Sequence, residues 1–341
     1  ARARSDAGGL RWQGLLLSQL PAQAKPVIRW WHAFLLWAAA TSLACAQAAL
    51  PPLQVAELSP GVFVHSGAVA DWNSASAGDV ANLAFIVGTR CIAVIDSGGT
   101  PDVGRRWQAA VAAISPLPVC HVINTHAHPD HVLGNNAFRT ADSAAGPGFV
   151  THARMRAALA ARERYYLNAL QRDFGVAMKH DDLVYPTATV AAGQTLEIDL
   201  GQRVIELKAW PTAHTDHDLT VFDRQTRTLF LGDLLFVTHL PVIDGSLLGW
   251  IAAMDRLAQM PVALAVPGHG AAGRDWPSML GPQRRYLDAL LTETRAAIRA
   301  HSTMQGAVRT VGRDALQGWA LADHFHERNV TTAFAELEWE E

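Results

Sequence analysis

Short apolar runs broken by Gly, Asp and Ser dominate the chain from Leu58 onward. Gly61 to Ser66 (GVFVHS), Asn82 to Val87 (NLAFIV) and Cys91 to Ile95 (CIAVI) read as strands with turns between them. Between Pro101 and Ile114 the apolar residues Val103, Trp107, Ala110, Val111 and Ile114 recur at helical spacing. Val119 to Ile123 is again strand-like, and the Ala-, Arg- and Leu-rich stretch from His152 to Phe174 predicts a long helix. Strands follow at Thr195 to Ile198, Arg203 to Trp210, Leu219 to Phe222 and Thr228 to Leu231. Trp250 to Gln259 reads as a helix, Val262 to Val266 as a strand, Gly281 to His301 as a helix, and Asn329 to Glu338 as a last short helix. Strands, a helix, strands again and a helix predict two sheets with helices outside, a layered α/β arrangement.

The N-terminal pattern is different. Arg29 precedes a short apolar core from Ala33 to Ala44, and Ala44-Cys45-Ala46 forms a small-x-small site before Gln47. This is the anatomy of a secretory signal over residues 27–46, with a core too short for a span of about 20 residues. Cleavage without lipidation is the expectation, since Ser42 stands where a lipobox prefers Leu. Residues 1–26 precede that signal, so translation is expected to begin near Val27, with the first segment a non-native or upstream extension. The domain reading is then a catalytic domain over 47–303 and a C-terminal extension over 304–341.

Composition narrows the function. The 341 residues are 50% hydrophobic and 17% charged, with a formal net charge of −3, which suits a globular chain and argues against a general nucleic-acid binder. Fifteen histidines stand against 4 tyrosines. The 3 cysteines form no CxxC pair, so no thiolate zinc knuckle is encoded. Cys91 and Cys120 lie in strand-like runs and read either as two buried thiols or as a disulfide between neighbouring strands.

Asn124 to Gly134 reads NTHAHPDHVLG directly after the strand Val119 to Ile123. Alternate residues of an extended segment point the same way, so His126 and His128 can face one metal ion. Asp130 and His131, further on, can aim at a second. HxHxDH after a strand resembles the metallo-β-lactamase superfamily, and four further positions fit that family's motifs. They are Asp96 in AVIDSGG, His214 in WPTAHTDHD, Asp233 in LFLGDLLF and His269 in VPGHG. The resemblance covers roughly residues 55–300 and implies a four-layer αββα sandwich with the site at the edge between the sheets. It implies one metal held by His126, His128 and His214, a second by Asp130, His131 and His269, and Asp233 bridging both. Imidazole and carboxylate ligands without thiolate suit zinc, two ions per chain, with iron or manganese open.

The implied activity is that of an exported hydrolase whose metal-bridging hydroxide attacks an ester, thioester, lactone or amide carbonyl of a small molecule. Asp130 can orient that hydroxide, Asp96 fixes the ligand loop through hydrogen bonds, and His239 is a candidate substrate contact. His217 and Asp218 read as structural hydrogen-bonding groups, and Trp72 and Asn73 as an ordinary exposed loop, with a loop that overhangs the cleft as the alternative. Tyr165 and Tyr166 read as core packing, and the Arg154 to Arg164 stretch as a solvated helix face. Asp at the fourth motif disfavours the Cys-bearing lactamases and resembles thioesterase-like hydrolases. The export signal, DGSLLGW and the NVTTAFAELE tail resemble periplasmic metallohydrolases of quinoprotein-dehydrogenase or sulfur-oxidation systems. Periplasmic location, no stable membrane insertion after signal cleavage and a periplasmic dehydrogenase partner are the matching expectations. Three alternatives stay open: a class B β-lactamase, a mononuclear-iron persulfide-dioxygenase-like oxidoreductase, and a non-catalytic metal-binding accessory protein.

Overall fold

In a computed structural model, residues 50–140 and 146–340 are described. The expected export signal and the segment before it lie outside the described residues. The strands are β1 (Ala56–Ser59), β2 (Val62–His65), β3 (Leu83–Val87), β4 (Ile92–Ile95), β5 (Val119–Ile123), β6 (Gly148–His152), β7 (Ala188–Val190), β8 (Thr195–Asp199), β9 (Val204–Ala209), β10 (Leu219–Asp223), β11 (Thr228–Phe236) and β12 (Leu264–His269). The helices are α1 (Pro101–Ile114), α2 (Pro129–Val132), α3 (Met155–Phe174), α4 (Leu247–Leu257), α5 (Gly281–Arg299), α6 (Met304–Thr310) and α7 (Ala322–Leu337). β1 to β7 form one sheet in chain order, and the second runs β12-β11-β10-β9-β8. Pairing in the first is antiparallel up to β4 and parallel from β4 to β7. In the second, only β11 and β12 are parallel.

The period-two alternation of β3 shows why four layers form. Leu83 and Phe85 face α1, where Val103, Trp107 and Val111 cover them. Ala84 and Ile86 face the other sheet and meet Ile205, Leu207, Val221 and Phe230. On the far side Leu229 and Leu231 of β11 pack under α4, α5 and α7, through residues such as Trp250, Leu287 and Val330. The result is the αββα order that the resemblance implies.

α1 begins where sequence analysis puts it. Thr100 Oγ1 accepts the Val103 N–H at 3.2 Å, Pro101 occupies the first turn, and Ser115 ends the helix. β6 and β7 are additions to the sequence reading. His152 closes β6 rather than opening α3, which starts at Met155. β6 was hidden because a single apolar pair, Phe149 and Val150, carries it. α7 starts at Ala322, seven residues before the apolar run that signals it, and α6 is also new.

Cys91 and Cys120 are joined as a disulfide, which decides between the two readings left open. β4 and β5 are parallel neighbours, and the two Cα atoms lie 5.8 Å apart, within the span that a disulfide bridges. Among the described residues no helix is long and apolar enough to cross a membrane.

Candidate metal centre

The ligand-type residues all sit where strands end or bend at one edge of the two sheets. His126 and His128 follow β5, and Asp130 and His131 lie on α2. His214 lies between β9 and β10, Asp233 sits within β11, and His269 closes β12. Two side-chain groups result: His126, His128, His214 and Asp233, and beside them Asp130, His131 and His269. Asp233 touches both. Its Oδ2 is 3.6 Å from His126 Nε2 and 3.5 Å from His214 Nε2, and its Oδ1 is 3.2 Å from His131 Nε2 and 3.4 Å from His269 Nε2. His269 Nε2 is also 3.2 Å from Asp130 Oδ2.

Every one of the five imidazoles has its outer nitrogen committed to the protein. His131 Nδ1 donates to Asp96 Oδ2 at 2.8 Å, His214 Nδ1 to the Val242 carbonyl at 2.7 Å, and His269 Nδ1 to the Val80 carbonyl at 3.0 Å. His126 Nδ1 lies 3.1 Å from Thr125 Oγ1, which itself donates to Asp96 Oδ2. His128 is turned the other way round, with Nε2 donating to Asp244 Oδ2 at 2.7 Å. Its Nδ1 then faces His214 Nε2 at 3.2 Å, two nitrogens whose protons are both held elsewhere. Lone pairs aimed at each other repel unless a cation lies between them. His126 Nε2, His131 Nε2 and Asp233 Oδ1 are buried without a hydrogen-bond partner. Buried polar atoms are normally paired, so this cluster of orphans fits metal ions, as does a donor set of imidazoles and carboxylates.

The charges divide between the two groups. Burial pushes His128 down to about 4 and His214 to about 3, and depresses His126 too, so the first group offers neutral imidazoles. Burial would do the same to His131 and His269, but the Asp130 and Asp233 carboxylates overcome it and raise both. Burial likewise opposes the charge of Asp130 and Asp233, and the surrounding imidazoles win and hold both carboxyls low.

Local backbone requirements shape the site. Asp96 adopts φ 57°, a left-handed conformation that costs energy outside glycine. Its two oxygens take the Thr125 N–H, the Thr125 hydroxyl and the His131 imidazole. Asp96 therefore acts on His131 and Thr125 from behind and does not line the cavity above them. Gly268 is required by close approach: a Cβ there would lie 1.9 Å from Asp233 Oδ1.

A cavity of about 920 Å3 opens over both groups, with His128, Asp130, Asp233 and His269 in its floor. His239 lines it too, its Nδ1 donating to the Leu240 carbonyl at 2.6 Å. Burial pushes this imidazole down to about 4, so it is neutral with Nε2 as an acceptor. Trp72 and Asn73 line the wall, Trp72 anchored by Nε1 donating to the Gly99 carbonyl and packed on Phe174. His217 pairs with Asp216, and Asp218 accepts the Thr215 N–H and hydroxyl, so both serve the turn after His214.

Two expectations are corrected. Tyr166 is core, its hydroxyl donating to the Ala127 carbonyl, but Tyr165 is 60% exposed and lines the cavity. Arg162 lines it as well and is not part of a solvated face. The buried stripe of α3 runs through Met155, Leu159, Tyr166 and Leu170, and Arg162 falls in the same helical phase. α7 adds His324, Phe325 and Arg328 to the wall. Nothing in the sequence marks these three as wall residues or Asp244 as the partner of His128.

Comparison with known proteins follows the same lines. A sequence model of the metallo-beta-lactamase superfamily matches residues 77–269. No curated protein matches by sequence. Among solved structures, a metallo-beta-lactamase from Pontibacter korlensis is 21% identical, with a TM-score of 0.55 over 69% of this chain and 99% of that one. A metallo-beta-lactamase from Hirschia baltica is 18% identical, with a TM-score of 0.52 over 69% and 97%. The stereoselective inverting sec-alkylsulfatase Pisa1 from Pseudomonas sp. is 16% identical, with a TM-score of 0.64 over 84% of this chain and 51% of that one. At these identities the likeness concerns the fold.

Proposed function

The chain belongs to the metallo-beta-lactamase superfamily, and on that premise we propose that it is a zinc-dependent hydrolase of small molecules with an ester, thioester, lactone or amide carbonyl. The observation that carries this reading is Asp233, whose two carboxylate oxygens face the two imidazole groups on the floor of one cavity. His126, His128 and His214 would hold one ion and Asp130, His131 and His269 the other, with Asp233 between them. When bound, the ions supply Lewis acidity and bring the pKa of water towards neutrality.

The chain's own groups do the rest. Asp130 lies in the cavity floor, where its carboxylate is placed to orient an attacking water. His239 offers a neutral acceptor to a substrate N–H or O–H. Trp72, Tyr165 and Phe325 supply apolar wall. The other charged residues of the mouth are paired: Arg172 with Asp173, His324 with Asp71, and Arg328 with Asp244. Arg162 makes no ion pair among the described residues, and its hydrogen bond is to the Ala158 carbonyl of its own helix. It is available to an anionic group on the substrate.

The same reading places the enzyme outside the cytoplasm, with residues 27–46 as export signal and a periplasmic dehydrogenase system as a partner. The Cys91–Cys120 disulfide supports an oxidising compartment.

The test is metal content of protein purified without added metal, combined with a hydrolysis screen. The screen should hold thioesters, lactones, β-lactams and, given the fold likeness to Pisa1, secondary alkyl sulfates. Two zinc ions per chain and chelator-sensitive hydrolysis are expected. One iron with oxygen uptake would replace this reading by the persulfide-dioxygenase one. Two zinc ions without turnover of any class would favour an accessory role.

A further inference from the structure

We infer that the C-terminal helix α7 is a positioning element of the first metal group, with Asp244 and Arg328 as its positioning residues. This rests on the reading of His126, His128 and His214 as ligands. Residues 240–246, between β11 and α4, have no regular structure of their own, yet they orient two of those three imidazoles. The Val242 carbonyl accepts the His214 Nδ1 proton at 2.7 Å. Asp244 Oδ2 accepts the His128 Nε2 proton at 2.7 Å. The Asp244 N–H returns to the His214 carbonyl at 3.0 Å, which locks the segment to the ligand loop. The two acceptors dictate the tautomers that turn His128 Nδ1 and His214 Nε2 inward.

Irregular segments hold a fixed course only if something else fixes it, and here that is α7. Buried Asn329 accepts the Ile243 N–H at 2.9 Å and donates to the Pro241 carbonyl at 2.6 Å and to Tyr286 Oη at 3.0 Å. Glu336 accepts Ser246 Oγ at 2.5 Å and the Leu247 N–H at 2.6 Å, at the start of α4. Asn329 and Glu336 are two helical turns apart and so share a face. Arg328 forms an ion pair with Asp244, the carboxylate that holds His128. The chain Arg328–Asp244–His128 therefore runs from α7 into the site. Groups that orient a ligand from behind are worth about 10–100-fold in metal affinity.

The experiment is zinc binding by the full-length apoprotein in competition with a chromophoric chelator, together with the visible spectrum of the cobalt-substituted protein. Asp244→Ala is expected to weaken one of the two zinc ions by about 10–100-fold, leave the other unchanged and alter the cobalt spectrum. Arg328→Gln should move the same ion in the same direction by less, and Arg328→Lys should restore part of it. Arg328 is 51% exposed at its side chain, so these variants report even if Asp244→Ala misfolds. Wild-type affinity for both ions in Arg328→Gln and a folded Asp244→Ala, alongside loss of one ion in His128→Ala, would overturn the inference alone. Wild-type binding of both ions by His128→Ala would remove the ligand reading and the inference with it.

Discussion

Asp96 Oδ2 lies 2.8 Å from His131 Nδ1, and the same carboxylate takes the backbone N–H and hydroxyl of Thr125. One side chain thus fixes both the start of the loop after β5 and the tautomer of His131, six residues beyond Thr125. Its left-handed backbone is the local cost of reaching both. Asp96→Ala leaves three donors without their acceptor and lets His131 turn. The expected outcome is metal binding at the second group weakened by about 10–100-fold, read by chelator competition. An unchanged affinity would refute the positioning role.

Gly268 sets how closely β12 can approach Asp233. A methyl group there would sit 1.9 Å from Asp233 Oδ1 and 2.7 Å from the Gly232 carbonyl carbon. Gly268→Ala must push the Asp233 carboxylate or the strand aside, at a cost of about 1–3 kcal/mol for overpacking. We expect a lower unfolding midpoint together with loss of tightly bound metal. If metal content stayed at the wild-type level, Asp233 would not be the group displaced.

Arg162 offers a charge to the cavity without an ion-pair partner among the described residues. Arg162→Gln should raise KM about tenfold for an ester bearing a distal carboxylate, the size of a charge-assisted hydrogen bond. KM for its neutral isostere, and kcat for both, should change little. Steady-state kinetics on the ester pair decide this, and an equal loss for both substrates would show a role unrelated to charge.

A buried Arg203, ion-paired within the second sheet, also reaches across to the first. Arg203 donates to Asp223 through Nε at 3.0 Å and Nη2 at 2.7 Å, while its Nη1 donates to the Val87 carbonyl in the other sheet at 3.0 Å. Arg203→Met strands the Asp223 carboxylate in the interior, and breaking such a pair costs about 3–5 kcal/mol. Denaturant unfolding should show that loss in full, and Arg203→Met/Asp223→Leu should recover much of it. A loss below 1 kcal/mol would mean that the pair behaves as a surface pair.

His65 gives the fold a pH dependence away from the candidate metal centre. Burial disfavours its charge, but Nε2 donates to Asp79 Oδ1 at 2.7 Å and Nδ1 to the Gln54 carbonyl at 2.8 Å, and the balance raises its pKa above 6.5. A raised imidazole pKa contributes stability fully below the unfolded value near 6.5 and loses it as pH climbs through the folded value. The stability gap between wild type and His65→Gln should be constant below pH 6 and shrink above about 6.5. A gap that does not change between pH 6 and 9 would show that His65 is neutral in the fold.

The residues legible in the sequence are those that local rules place. Period-two alternation marks β3, Thr100-Pro101 starts α1, and a ligand-rich loop directly after β5 brings His126, His128, Asp130 and His131 to one sheet edge. His269 ends β12, His214 follows β9 and Asp233 sits within β11 beside the irregularity at Gly232, and it was the resemblance to the metallo-β-lactamase superfamily that grouped these three with the loop. Tyr165 and Arg162 were misread because a helical repeat shows which face is shared and not what that face meets. Asp244, Arg328 and the α7 wall left no local mark at all. His128 meets Asp244 across 116 residues of sequence, and Arg328 reaches it only because α7 packs across α5 and α6. Motif spacing puts His126 and His128 on one side because an extended segment imposes a fixed geometry on nearby residues. The protons those imidazoles carry, and the walls of the cavity above them, depend on contacts between distant elements, which only tertiary packing decides.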